Sequence, residues 1–216
     1  MKILLPPSEK KNEPEKLKAL KLNALSFDAN LASTRTAVLK KHKEIDLSHC
    51  DFASNVYEGV LYQALDYTSL SGAAQTRANN SIIIISAAFG AIRLTDVIPY
   101  YKFKIDPSVW KVPLANALAG IKDELIIDCR SSNYSTVWTP NPLNTVGVRV
   151  FKKVAGQLKV ITHMSKLTRG EVTRYLVSQA KNPQTPQELH KLLSKEFNCR
   201  LIESEGKKSW FIDVIT

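Results

Sequence analysis

Residues 81–86 read SIIIIS, and four isoleucines in succession constrain the fold more than any other feature of the chain. A strand with one wet face alternates apolar and polar residues. An unbroken β-branched run suits a strand covered on both faces, as at the centre of a parallel or mixed sheet. A second apolar run at 125–129, after a helical stretch at 108–119, predicts another such strand. Lys2–Leu5 predicts a short first strand closed by Pro6-Pro7, since proline cannot donate to a ladder. Strands are expected at 146–151 and 158–163 around the turn Ala155-Gly156-Gln157, and a C-terminal β-hairpin from 200–203 and 209–215. Apolar periodicity predicts helices at 33–42, at 60–78 with Gly72 as a weak point, at 169–181 and at 186–197. The lysine-rich stretch 8–25 reads as loop plus a surface helix. Interleaved strands and helices give an α/β class: one domain over 1–216, with a mixed central sheet and helices around it.

Thirty basic against twenty acidic residues leave a net charge of +10, which favours anionic partners such as nucleic acid, nucleotides or phosphorylated metabolites. The N-terminal MKILLPPSEKK is too short in apolar residues for a signal peptide, and no run approaches the ~18 apolar residues of a membrane span. A cytoplasmic protein with no membrane partner is expected. Cys50, Cys129 and Cys199 are odd in number and far apart, which predicts reduced thiols. The four histidines show no ligand spacing, so neither a metal nor a cofactor is expected. GxxxxGK[ST] and GxSxG are both absent.

Ligands of open α/β sheets lie beyond the carboxyl ends of central strands, which singles out three segments. The first, AAFGAIRLTDVIPYYKFK, holds Gly90, Arg93, Asp96 and Tyr100. Arg93 and Asp96 have the spacing of a helical-turn ion pair; alternatively Arg93 grips a phosphate or carboxylate while Asp96 accepts from a base, sugar or amine. The second, DCRSSNY, offers Arg130 and Ser131 as anion donors, or ordinary turn chemistry. In the third, HMSKLTRGEVTRYL, Thr168 and Glu171 fit a capping box that starts a helix at Arg169. Lys166 and Arg169 would then stand beside a helix N-terminus, where an anion is needed: Asp128, or a bound phosphate.

Taken together, ILLPPSEKK, NVYEGVLY at 55–62, ISAAFGAIRLTDVIPYYKFK at 85–104, IIDCRSSNY at 126–134 and HMSKLTRGEVTR at 163–174 resemble the YaaA-like peroxide stress resistance family. The family's vYxGl pattern falls on Val56, Tyr57, Gly59 and Val60, and its PPSExK pattern on Ser8, Glu9 and Lys11. Its glycine-arginine-aspartate-tyrosine segment falls on Gly90, Arg93, Asp96 and Tyr100, and its basic turn on Lys166 and Gly170. Ser86-Ala87 departs from the usual Ser-Gly, and Arg93-Leu94 from Arg-Pro. The resemblance implies a cytosolic role in the response to hydrogen peroxide, limitation of iron-driven damage, and binding of double-stranded DNA through a helix-hairpin-helix-like element. The alternative is an enzyme acting on a nucleotide or other phosphorylated small molecule, with Lys11, Arg93, Asp96, Arg130 and Lys166 converging on one pocket.

Overall fold

In the computed structural model, which describes residues 1–15, 18–206 and 208–216, the isoleucine run is a strand whose four isoleucines are all fully buried. It is preceded by β1 (Lys2–Leu5), α1 (Asp28–Lys41), β2 (Cys50–Phe52), α2 (Ala53–Val56), α3 (Val60–Leu65) and α4 (Gly72–Ser81). The strand itself is β3 (Ile82–Ser86), followed by β4 (Gly90–Ile92), β5 (Val97–Pro99), α5 (Pro107–Ala117), β6 (Ile126–Asp128) and α6 (Ser132–Ser135). The last third holds β7 (Thr145–Val154), β8 (Gln157–Lys159), α7 (Thr162–Ser178), α8 (Pro186–Leu193), β9 (Cys199–Ile202) and β10 (Trp210–Ile215).

The main sheet runs in the order β4-β3-β1-β6-β7-β10-β9, with β8 paired to β7. The five strands from β3 to β10 are mutually parallel, and β4 and β9 close the two ends antiparallel. The class is therefore the expected α/β with a mixed sheet, and β9–β10 is the expected C-terminal strand pair; Lys207 in its loop lies outside the described residues. Alternation along each central strand divides the core. Ile3, Leu5, Ile82, Ile84 and Ile127 face one layer with α3, α7 and α8, while Leu4, Ile83, Ile85 and Ile126 face the other with α1 and α5. Each isoleucine so buried contributes about 1.5–3 kcal/mol.

Several boundaries differ from the sequence reading. Helix 33–42 begins earlier, at Asp28, and 60–78 divides into α3 and α4 with Gly72 opening the second at φ +53°. The surface helix expected within 8–25 is reduced to a 3-10 turn at Leu22–Ala24; Lys16 and Leu17 lie outside the described residues. The strand expected at 158–163 stops at Lys159, and α7 starts at Thr162, seven residues before Arg169. The Thr168–Glu171 capping box is therefore not formed. Thr168 lies inside the helix, and its hydroxyl is buried without a partner among the described residues. A capping arrangement of that kind forms instead at α8, where Thr185 Oγ1 accepts from Glu188 N at 3.2 Å and Glu188 Oε2 accepts from Gln184 N at 2.9 Å.

Candidate functional site

The carboxyl ends of β1 and β3 meet the 56–59 turn and the segment after β5, and these four pieces assemble one polar cluster. Pro6 and Pro7 end β1, and the chain turns back so that Lys11 pairs with Tyr57 in an antiparallel bridge. Ser8 Oγ donates to the carbonyl of Glu58. Gly59 follows at φ +138°, and a Cβ there would stand 2.6 Å from Ser8 Oγ, so this turn requires glycine.

Inside the turn, Tyr57 Oη lies 2.7 Å from Tyr101 Oη, which lies 2.8 Å from Ser86 Oγ at the end of β3. Ser86 Oγ also accepts from Ala88 N at 3.2 Å and Phe89 N at 3.1 Å. Those two donors fill its lone pairs, so its own hydrogen points to Tyr101, and Tyr101 and Tyr57 share one further hydrogen bond in which either hydroxyl can donate. Tyr57 stands at the end of this chain of hydroxyls. Tyr57 also lines a cleft of about 340 Å³ with Asn12, Tyr62, Asp66 and Tyr67.

Lys11 covers the cluster. Its Nζ donates to Ser8 O at 2.5 Å and sits 4.4 Å from the Tyr101 ring centroid and 5.6 Å from that of Tyr57. Burial against these rings pushes the amine down from 10.5 to about 8, partly opposed by the negative charge of Glu9. The same burial raises the Tyr57 and Tyr101 hydroxyls, which stay protonated donors. An amine that is partly neutral near pH 8, beside a hydroxyl donor, has the chemistry to hold an anion, polarise a carbonyl or accept a proton.

Most of the expected charged residues lie elsewhere. Arg93 follows β4, which runs back along β3 to its amino end, and donates there to the carbonyls of Asn79 at 2.7 Å and Asn80 at 3.1 Å. Asp96 forms no ion pair with it. Its carboxylate accepts from Arg93 N, Ser26 N and Ser26 Oγ. Arg130 is buried in a bidentate pair with Asp128 at 2.9 and 2.8 Å and caps Tyr134 O, which also removes Asp128 as a partner for α7. Arg169 donates twice to Val148 O, and Lys166 is exposed on α7. Ser131 precedes α6 without capping it by its side chain. Gly90 and Gly170 serve packing: added Cβ atoms would stand 2.5 Å from Trp110 and 2.3 Å from the Leu61 carbonyl. Arg93 and Asp96 thus stand at the opposite end of the sheet from Lys11 and Arg130, so the five-residue pocket is not formed.

Lys11 and Tyr57 are the expected residues that the cluster contains; Ser86 and Tyr101 were missed. Tyr101 is buried in the cluster, whereas Tyr100 is half-buried outside it. Its signal was present as the tandem Tyr100-Tyr101, without an indication of which ring faces inward. Ser86 could have been found as the polar residue ending the isoleucine run.

A family model described as peroxide stress protein YaaA matches residues 15–201. The chain belongs to the YaaA family of peroxide stress proteins. A UPF0246 protein of Streptomyces coelicolor is 31% identical over 260 residues, covering 100% of this chain and 98% of that protein. A UPF0246 protein of Corynebacterium efficiens is 35% identical over 147 residues, 62% of this chain and 57% of its own length. An uncharacterised protein of Campylobacter jejuni is 29% identical over 206 residues, 79% of this chain and 82% of its own. Membership of the YaaA family supports a role in peroxide stress. Among the described residues no helix is long and apolar enough to cross a membrane.

Proposed function

We propose that the chain acts in the cytoplasm during peroxide stress by binding double-stranded DNA, with its lysines on the phosphates, and so limits oxidative damage. The observation that supports this reading is the division of the basic residues. All eight arginines are held by carbonyls, carboxylates or a hydroxyl of the protein itself. Every described lysine except Lys2 and Lys11 is exposed. Flexible ammonium groups suit a phosphate backbone contacted without base reading, whereas the rigid guanidinium fork suits the carbonyls it meets inside.

A second reading, an enzyme acting on a nucleotide or other phosphorylated small molecule, is favoured by the desolvated amine of Lys11 beside the paired Tyr57 and Tyr101 rings. One titration addresses both, with duplex DNA and a nucleotide panel at two salt concentrations, on the wild type and Lys11→Ala. Duplex affinity should fall with salt at a log–log slope of about 0.9 per phosphate contacted, and Lys11→Ala should leave it unchanged. A flat salt dependence removes the DNA reading. Nucleotide affinity that disappears with Lys11→Ala, without duplex binding, replaces it with the enzyme.

A further inference from the structure

Beyond its pairing with β10, which ends at Phe151, β7 continues as a ribbon with β8, and every residue from 152 to 160 is exposed. The two-residue turn Ala155-Gly156 has both φ values positive, +48° and +81°, the geometry that matches the twist of a tight hairpin. Segment 151–162, FKKVAGQLKVIT, carries three lysines and no acidic residue. Among the described residues none of the three is in an ion pair. Lys152 is directly opposite Lys159 in the register.

Directly opposed like charges destabilise a strand pair, and an anion between or beside them would remove that cost. Lysine on a free edge also discourages edge-to-edge association, but that use does not call for two lysines facing each other. Cross-strand partners share a face, so Lys152, Lys159 and Val154 lie on one side of the ribbon, and Lys153 and Leu158 on the other. Val154 and Leu158 are large apolar residues left 38% and 36% exposed. Cations on both faces fit a slot walled by two phosphate backbones, whereas a flat anionic surface would select one basic face. The major groove of a duplex, roughly 12 Å wide, admits a two-stranded ribbon.

We infer that the β7–β8 ribbon is the arm that enters a groove of duplex nucleic acid, with Lys152 and Lys159 directed at one backbone and Lys153 at the other. The inference rests on the DNA-binding reading and adds where contact is made. The test compares Lys152→Ala/Lys153→Ala/Lys159→Ala with a variant that loses the same charge elsewhere, Lys40→Ala/Lys41→Ala/Lys43→Ala around the end of α1. Thermal unfolding first confirms that both fold. Three lost phosphate contacts should lower the salt slope of duplex binding by up to about 2.7, with the α1 variant close to wild type. Equal losses in both variants mean diffuse binding and overturn the arm while leaving the DNA reading intact. Absence of duplex binding by the wild type overturns the DNA reading itself. Vesicles of phosphatidylserine and phosphatidylcholine supply the last arm: ribbon-dependent vesicle binding with unchanged duplex binding assigns the ribbon to a membrane surface and overturns the proposal.

Discussion

In the Ser86–Tyr101–Tyr57 chain each hydroxyl has a protein partner within 2.8 Å, and the rings behind them are nearly inaccessible. In the β7–β8 ribbon three ammonium groups stand in solvent without a carboxylate, two of them face to face. The difference separates two uses of polarity. Buried polar groups must be satisfied by the fold itself, because each unmade bond costs about 1–3 kcal/mol, so the cluster fixes its own geometry. Exposed like charges tolerate being unpaired and leave their attraction for a partner. Arg93 and Arg169, held on backbone carbonyls, and Arg130, paired with Asp128, belong with the first group, although in the sequence they looked like the second.

The contrast breaks first, and by the largest amount, at Tyr101. Tyr101→Phe removes the hydroxyl that links Ser86 to Tyr57 and should cost about 1–3 kcal/mol in chemical denaturation, whereas Tyr100→Phe should change stability by less than about 0.5 kcal/mol. Equal costs for the two would mean that the cluster is not the rigid region described.

Lys11 supplies a smaller, pH-dependent effect. Its amine is lowered from 10.5 to about 8, so below about pH 8 the folded protein carries the full cost of holding a desolvated charge. Between about 8 and 10.5 the unfolded chain binds more protons than the native one, and stability rises with pH. The stability of the wild type relative to Lys11→Met should therefore increase across that window and stay level from pH 6 to 7. A difference independent of pH would show an amine that is solvated like the surface lysines.

Legibility in the sequence follows the same division. β1, β3 and β6 were visible because the parts buried on both faces, residues 3–5, 82–85 and 125–127, are unbroken apolar runs. The start of α7 was not, because its inward positions in the first turns are Ser165, Thr168 and Gly170 rather than large apolar residues. Glycine is required where the Leu61 carbonyl approaches, and small side chains let α3 lie close, so the packed stripe does not look hydrophobic. A Thr-x-x-Glu match inside that helix then read as a cap. Arg93 and Arg169 were misplaced for another reason: backbone carbonyls are their acceptors, and no residue type marks a carbonyl that the fold will leave free. Lys11 and Tyr57 were found through the family patterns, while the choice between adjacent tyrosines fell beyond the end of β5, where no strand alternation marks the inward side.

The smallest effect sharpens the comparison most, because stability and binding should move in opposite directions. Lys159→Glu places a carboxylate opposite Lys152, converting a repulsive cross-strand pair into an attractive one. Such pairs are worth roughly 0.2–1 kcal/mol, so amide exchange through local opening of residues 152–159 should slow by a factor of about 1.4–5. The same substitution removes one cation and adds an anion in the ribbon, so duplex affinity should fall, and more at low salt than at high. A gain in both would mean that the facing lysines have no anionic partner and the ribbon is an ordinary charged edge. Slower exchange with weaker duplex binding is the signature of charge kept unpaired at the expense of the ribbon's own stability, because its counterpart lies on another molecule.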